Sequence, residues 1–397
     1  MSPDRKYMYK LPWSTNDNQG GWVEVTDRCD LSCPGCYRKS LDGDRPLEAL
    51  KKEITNCQTV TNCDVMVVAG GEPLLYPQIT ELISFIRQRG MKSLILSNGT
   101  NFTEKLAGDL KKAGLNRIHF HIDSRQNREG WTGKNEKELN SLRDHYATMI
   151  SKMGGMQCGF HIVIGRDNLN QIQDIISWYR INMSRVHHLS LIAWRGLPKP
   201  EGYRYMSGST FIDPSFLDKF YPGLDEMEIS TDDMFDIIRK EYPDYLPAAY
   251  INGTAFPDTN KYLIFVNIGA GNRFYGCFGA KSMELSQVFY HLFKGRYISF
   301  SLQPAVGKKV FLLSVFDRQV RKAFRSFLQT VVTDPVHLFR KVYLQSLILQ
   351  QPVEFIHGER NRCDPCINPM LYGEKAINPC QLDEYRLFGG VLNMVKL

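Results

Sequence analysis

The sequence has no apolar run of the length a membrane-spanning helix needs, no internal repeat and no low-complexity tract. Its start, MSPDRKYMYKLPW, lacks the basic-then-apolar order of a secretion signal, which implies a cytoplasmic protein. With no such signal, ten cysteines point to metal or redox chemistry rather than to a disulfide framework. Acidic residues are also scarce in one long stretch: between Glu284 and Gln350 only Asp317 and Asp334 occur. What is present is ample apolar material, 43% of 397 residues, enough for one large catalytic domain and a smaller one. The net charge of +7 is modest for that length.

Short apolar runs alternate with amphipathic segments from Trp22 to about Trp194, the βαβ pattern of a parallel sheet. Strands are predicted at 22–26, 64–69, 92–97, 116–122, 159–164 and 188–193, and helices at 78–89, 103–113, 136–152 and 168–180. Another helix is predicted from LEALKKEI, after an N-cap candidate and a proline in Asp44-Arg45-Pro46. Six units are too few for a closed eightfold barrel. The expected fold is therefore α/β: a partial (β/α)6 TIM-type barrel with a smaller cysteine-containing C-terminal domain. Residues 1–20 form an N-terminal extension, 21–200 the barrel and 201–397 a substrate and auxiliary region. The glycine- and proline-rich RGLPKPEGYRYMSGST marks the passage between the last two. A hairpin is expected near 261–278 and helical stretches between 284 and 350.

In VEVTDRCDLSCPGCYRKS, Cys29, Cys33 and Cys36 form a C-x3-C-x2-C array just after the first strand. Three thiolates in so tight a loop can hold one cubic iron–sulfur cluster and leave one iron open for a ligand. A structural zinc site prefers four protein ligands, and no fourth cysteine or histidine lies close in sequence.

The triad at this spacing resembles the radical S-adenosylmethionine (SAM) superfamily, over about residues 20–195. That resemblance implies a [4Fe-4S] cluster on Cys29, Cys33 and Cys36 that binds SAM. Reductive cleavage would then give a 5′-deoxyadenosyl radical. The family often has an aromatic residue just before the third cysteine; this chain has Gly35, and Tyr37 is the candidate for the adenine contact. Gly70, Gly71, Glu72 and Pro73, closing the second strand, correspond to the family's grip on the methionine amino group. The glycines permit close backbone approach, and Glu72 offers a carboxylate to a cation. Ser97 and Asn98 would approach methionine or ribose, Asp123 or Ser124 the ribose hydroxyls, and the backbone at Ile164 the adenine. Ser97 and Asn98 also suit an ordinary turn. His119 and His121 share one strand face, and a buried, hydrogen-bonded core role competes with a functional one for at least one of them. Arg125, Gln126, Arg128 and Trp131 lie on the loop after the fourth strand, where substrate or the SAM carboxylate would lie.

Cys277, Cys363, Cys366 and Cys380 make four ligands, and the region resembles the SPASM or twitch auxiliary-cluster domains that follow many radical SAM barrels; zinc fits the same spacing. Cys57, Cys63 and Cys158 read as isolated thiols. Between 284 and 350 basic and aromatic residues interleave, with Arg321, Phe324, Arg325 and Phe327 on an amphipathic helix. Such a helix suits either contact with a membrane surface or a solvated basic face over a packed core. The expected partners are a reductant such as flavodoxin or ferredoxin, and a substrate: a peptide or protein side chain first, a lipid or lipid-linked molecule second, or another small molecule. A non-enzymatic zinc- or nucleic-acid-binding protein is the competing class. It leaves the Gly-Gly-Glu-Pro turn unexplained, and no aromatic-basic RNA-binding signature supports it.

Overall fold

The computed structural model describes residues 3–34, 36, 43–195, 201–213 and 229–397. The βα alternation folds as β1 (Gly20–Glu24), α1 (Leu47–Thr61), β2 (Val65–Ala69), α2 (Ile79–Gln88), β3 (Lys92–Ser97), α3 (Glu104–Ala113), β4 (Arg117–His121), α4 (Glu136–Met153), β5 (Gln157–Ile164), α5 (Ile172–Ile181) and β6 (His188–Ala193). These six strands pair in parallel and in sequence order, each within two residues of its predicted bounds. The partial barrel is therefore the observed architecture.

Local chemistry sets the helix ends. Thr103 accepts from the Leu106 N–H at the start of α3, and Gly114 at φ 104° ends it. Asn135 and Glu138 form a reciprocal capping box on α4. At α1 the prediction needs correcting. Asp44 is no cap, because it pairs with Arg28 at 2.7 Å, and Pro46 itself precedes the first helical residue. The helices cover the outer face of the sheet. Leu50, Ile54, Leu82, Ile83 and Ile86 pack there against Val23, Val68 and Ile95, all essentially without solvent contact. Each such side chain stabilises the fold by about 1.5–3 kcal/mol.

The C-terminal part extends the same sheet. After α6 (Thr231–Glu241) come β7 (Ala249–Gly253), β8 (Asn260–Ala270) and β9 (Arg273–Cys277), then α7 (Ala280–Lys294), α8 (Arg318–Thr333) and β10 (Tyr343–Gln350). The hairpin expected near 261–278 is β8–β9. The helical expectation for 284–350 holds for α7 and α8 but fails at 343–350. There YLQSLILQ is a strand, parallel to β6 on one side and antiparallel to β8 on the other. Its alternation is two-fold: Gln345, Leu347 and Leu349 are fully buried on the outer face, and Leu344, Ser346 and Ile348 turn inward. At the far edge, Met370–Tyr372 pairs with β1, so C-terminal residues flank the six strands on both sides. A second apolar cluster, including Ile251, Ile268, Phe311, Val320, Ala323 and Phe327, binds α8 to the sheet extension.

Candidate active site

The two-residue period of the strands selects what faces the inside of the curved sheet. β1 to β3 present Trp22, Val67, Leu94 and Leu96, an apolar wall. β4 to β6 present Arg117, His119, His121, His161, His188 and Ser190, a polar one. Between them lies a cavity of ≈ 510 Å³. Cys29, Cys33 and Cys36 line it at one place and Cys363, Cys366 and Cys380 at another.

The triad loop is fixed by the strand ends beside it. Glu72 is fully buried; its carboxylate accepts from the Leu74 N–H at 2.9 Å, the Ser97 hydroxyl at 2.8 Å and the Asn98 N–H at 2.6 Å. Burial pushes its carboxyl up to about 7, against these three donors. Among the described residues the Glu72 oxygens hold β2 to β3. The Asn98 amide then donates to Asp30 at 2.6 Å and lies 3.9 Å from the Cys29 sulfur. Gly70, at φ 142°, and Gly71 are required by the chain they cross. A Cβ on Gly70 would stand 2.4 Å from the Thr26 carbonyl oxygen, and one on Gly71 2.2 Å from that of Arg28. Burial raises the thiols of Cys29 and Cys33, the latter to about 12, so ligation by these sulfurs would release protons.

Gly70, Gly71, Ser97, Asn98 and Asp123 reach the cavity; Glu72, Pro73, Ser124 and Ile164 stand behind its wall. The Ser124 N–H donates to Glu136, and the Ile164 carbonyl accepts from the Trp194 N–H at 2.7 Å. Tyr37 lies outside the described residues. Asp123 accepts from the backbone N–H groups of Arg125 and Val163 and meets His121 at 2.7 Å. Burial pushes its carboxyl up, but His121 and those N–H donors outweigh burial and hold it below the usual range. On the following loop Arg125 and Gln126 line the cavity, with Arg125 paired to Asp167 and its guanidinium 4.5 Å from the Trp194 ring. Arg128 and Trp131 instead support the loop. Arg128 donates to the Asn98 carbonyl at 2.5 Å, and Trp131 packs on the core.

Sequence reasoning missed Trp194, Arg117 and the segment around Phe300. Phe300 covers Arg117, 3.7 Å from guanidinium carbon to ring centre, and closes the polar end of the cavity. No residue-level signal tied position 300 to the barrel. His119, His161 and His188 bring ring nitrogens within 4.8 Å of one another. They form a floor rather than an ion site. The His119 and His188 rings stack in parallel, 4.3 Å apart, so their in-plane lone pairs run side by side. His188 is also hydrogen-bonded to Ser346 and Ser190 through its two nitrogens. Burial holds all three well below the ordinary histidine range, hence neutral.

At the C-terminal group, Cys363 pairs in register with Gly253 of β7, and Cys366 follows three residues on. Cys366 is raised by burial first and then by Cys363 and Cys380, so the three thiols share one neighbourhood, beside Tyr262. Cys277 does not join them. It pairs with Asn267, seven residues along β8 from Asn260, which is about 23 Å of strand. Its sulfur faces the carbonyls of Asp244 and Leu246. Cys57 and Cys63 are both buried and meet beneath Gly21, and Cys158 is buried alone.

Three cysteine sulfurs in each group suit an iron–sulfur cluster, whose usual ligands are thiolates. Trp194 Nε1 and His119 Nε2, on residues that line the cavity, have no hydrogen-bond partner among the described residues.

A curved parallel sheet carrying three cysteines on the loop after its first strand defines a cluster-binding partial barrel. The profile of the radical SAM superfamily matches residues 23–179. The tungsten-containing aldehyde ferredoxin oxidoreductase cofactor-modifying protein of Pyrococcus furiosus is 23% identical over 176 residues, 41% of this chain and 48% of that one. The GTP 3',8-cyclase of Syntrophomonas wolfei is 35% identical over 109 residues, 26% of this chain and 33% of that one. The chain thus spans less than half the length of these curated relatives. Among solved structures, SuiB of Streptococcus suis bound to S-adenosylmethionine superposes with a TM-score of 0.40 at 12% identity, covering 57% of this chain and 47% of that one. The anSMEcpe structure with bound AdoMet gives 0.41 at 14%, covering 57% and 60%.

Proposed function

We propose that the protein is a radical SAM enzyme acting on a substrate held in the central cavity. The observation that carries this reading is the placement of Cys29, Cys33 and Cys36 on one cavity with the glycines and polar strand ends that the resemblance to that family leads one to expect. A [4Fe-4S] cluster on these thiolates would supply one electron to SAM, splitting a sulfonium–carbon bond into methionine and a 5′-deoxyadenosyl radical that removes a hydrogen atom from a substrate C–H bond.

The chain's own residues perform the positioning. Glu72 locks the ends of β2 and β3, and through Asn98 it steadies the loop that carries Cys29. Asp123, held as a carboxylate, offers hydroxyl-binding capacity at the cavity edge beside Arg125 and Trp194. The apolar wall of β1 to β3 keeps water from the reacting carbon. Cys363, Cys366 and Cys380 would hold an auxiliary [4Fe-4S] cluster, which would supply electron-transfer chemistry to the cavity. Flavodoxin or ferredoxin fits as reductant.

Two substrate classes follow, a peptide or protein side chain and a lipid or lipid-linked molecule. One feature supports the second: α7 lines the cavity with Met283 and Gln287 while its other face carries exposed Phe289 and Phe293. Contact with a membrane surface through 284–350 belongs to this reading. Among the described residues no helix is long and apolar enough to cross a membrane. Anaerobic incubation with SAM and dithionite tests the central proposal: 5′-deoxyadenosine must form with wild type and fail to form with Cys33→Ala.

A further inference from the structure

Exposed apolar side chains are unevenly placed in this molecule. Of nineteen large hydrophobic residues exposed among the described residues, thirteen fall between Val288 and Phe339. Phe293 is 76% exposed and Phe339 83%. Scattered single hydrophobics are ordinary on a surface, whereas a concentration of this kind marks an interaction face.

These residues belong to one lobe. Val288, Phe289, Leu292 and Phe293 follow the outer side of α7 at helical spacing, while Leu312 and Val315 sit on the short helix Gly307–Val315 that packs on α8, and Phe316 caps it. Val332, Val336, Leu338 and Phe339 continue from the end of α8. Buried Asp317 ties the lobe together. Its carboxylate accepts from the N–H groups of Gly279 and Ser282 before and in α7, and of Gln319 and Val320 in α8. The inner sides of these helices bury Met283, Val320, Ala323 and Phe327, so the exposed residues are surplus to the core.

Charge identifies what covers the face. From Leu285 to Gln350 the chain carries ten lysines and arginines against two aspartates, so this stretch alone exceeds the +7 of the whole protein. Lys294, Lys308, Lys309, Arg318 and Arg325 make no ion pair among the described residues. Apolar side chains surrounded by unpaired cations repel a second copy of the same face and match an apolar phase edged by anions. None of the thirteen lines the cavity, so the face is an outer surface and not a groove for a peptide. We propose that the lobe formed by residues 288–341 seats the protein on an anionic membrane surface, with the aromatic residues entering the interface and the basic residues meeting lipid phosphates. Because α7 also walls the cavity, this seating sets the cavity beside the bilayer.

This seating rests on the lipid-substrate reading above, and binding to vesicles reads it separately from SAM cleavage. Full-length protein is sedimented with vesicles of phosphatidylcholine, or of phosphatidylcholine mixed with phosphatidylglycerol, at low and high salt. Wild type is expected to bind the mixed vesicles, and to bind less at high salt and on pure phosphatidylcholine, each lost cation costing about fivefold in partition. Phe293→Ser/Phe339→Ser and Lys308→Gln/Arg318→Gln/Arg325→Gln are each expected to weaken binding by about tenfold or more. All five positions are exposed, and unchanged circular dichroism serves as the folding control. Should a variant misfold, hydrogen exchange of wild type decides: amides in 288–293 and 332–339 slow on the mixed vesicles. No binding of wild type to the mixed vesicles, equal binding by both variants, or a phenylalanine-dependent dimer in solution each overturn the proposal.

Discussion

The two cysteine groups that share the cavity are held in different ways. Cys29, Cys33 and Cys36 sit on a loop whose shape is imposed from outside, by Gly70 and Gly71 under the chain at Thr26 and Arg28 and by Asn98 beside Cys29. Cys363 and Cys366 sit at and just past a strand bridge to β7, less open than the exposed Cys29. The first arrangement leaves a reactive centre open to a ligand. The second suits a centre that is kept and only touched. In chemical terms, one group should decide whether SAM is cleaved and the other whether substrate is converted.

The largest expected effects separate them. Cys33→Ala should lower 5′-deoxyadenosine formation by about 10³-fold or more, as loss of a covalent centre does. Cys366→Ala should leave SAM cleavage within about tenfold of wild type while substrate conversion stops. Equal loss of cleavage in both would erase the distinction. Next comes the support of the triad loop. Gly71→Ala puts a methyl against a backbone oxygen that cannot swing aside, and should cost about 1–3 kcal/mol, read by urea unfolding, together with part of the triad iron. Glu72→Gln turns an amide N–H2 toward donors it cannot satisfy and should cost about 1–3 kcal/mol.

The pH dependence of stability follows from buried histidines. His161 and His187 are lowered by burial to about 3, and His119 and His188 are lowered too. The unfolded chain binds their protons near 6.5 and the folded one does not. Stability is therefore complete above that value and falls as pH drops toward 3, by up to about 1.4 kcal/mol per unit for each group. Glu72, raised to about 7, acts in the opposite direction between 4.5 and 7, but it is one group against four. His161→Asn should reduce the acid slope, measured by denaturation across this range. The smallest effect is expected at Cys277, where Cys277→Ser should leave iron content unchanged because the side chain faces the Asp244 and Leu246 carbonyls.

How much of this was written in the sequence depends on the range of the cause. The six barrel strands and the triad depend on local alternation and close spacing, and both were legible. The role of Glu72 was not. A Gly-Gly-Glu turn shows a carboxylate but cannot show that Leu74, Ser97 and Asn98 will claim both of its oxygens. At 343–350, leucines at mixed spacing fit either period, and only the edge of β6 decides for a strand. Cys277 was grouped with the tail cysteines by count, which carries no distance. The hairpin register then took it about seven residues of strand away from them.

The most direct test combines anaerobic iron and sulfide analysis with the 5′-deoxyadenosine assay on wild type, on Cys29→Ala/Cys33→Ala/Cys36→Ala and on Cys363→Ala/Cys366→Ala/Cys380→Ala. The account predicts that each triple variant keeps one cluster's iron and sulfide, and that only the first loses SAM cleavage. A wild type that binds zinc without sulfide and forms no 5′-deoxyadenosine would contradict it.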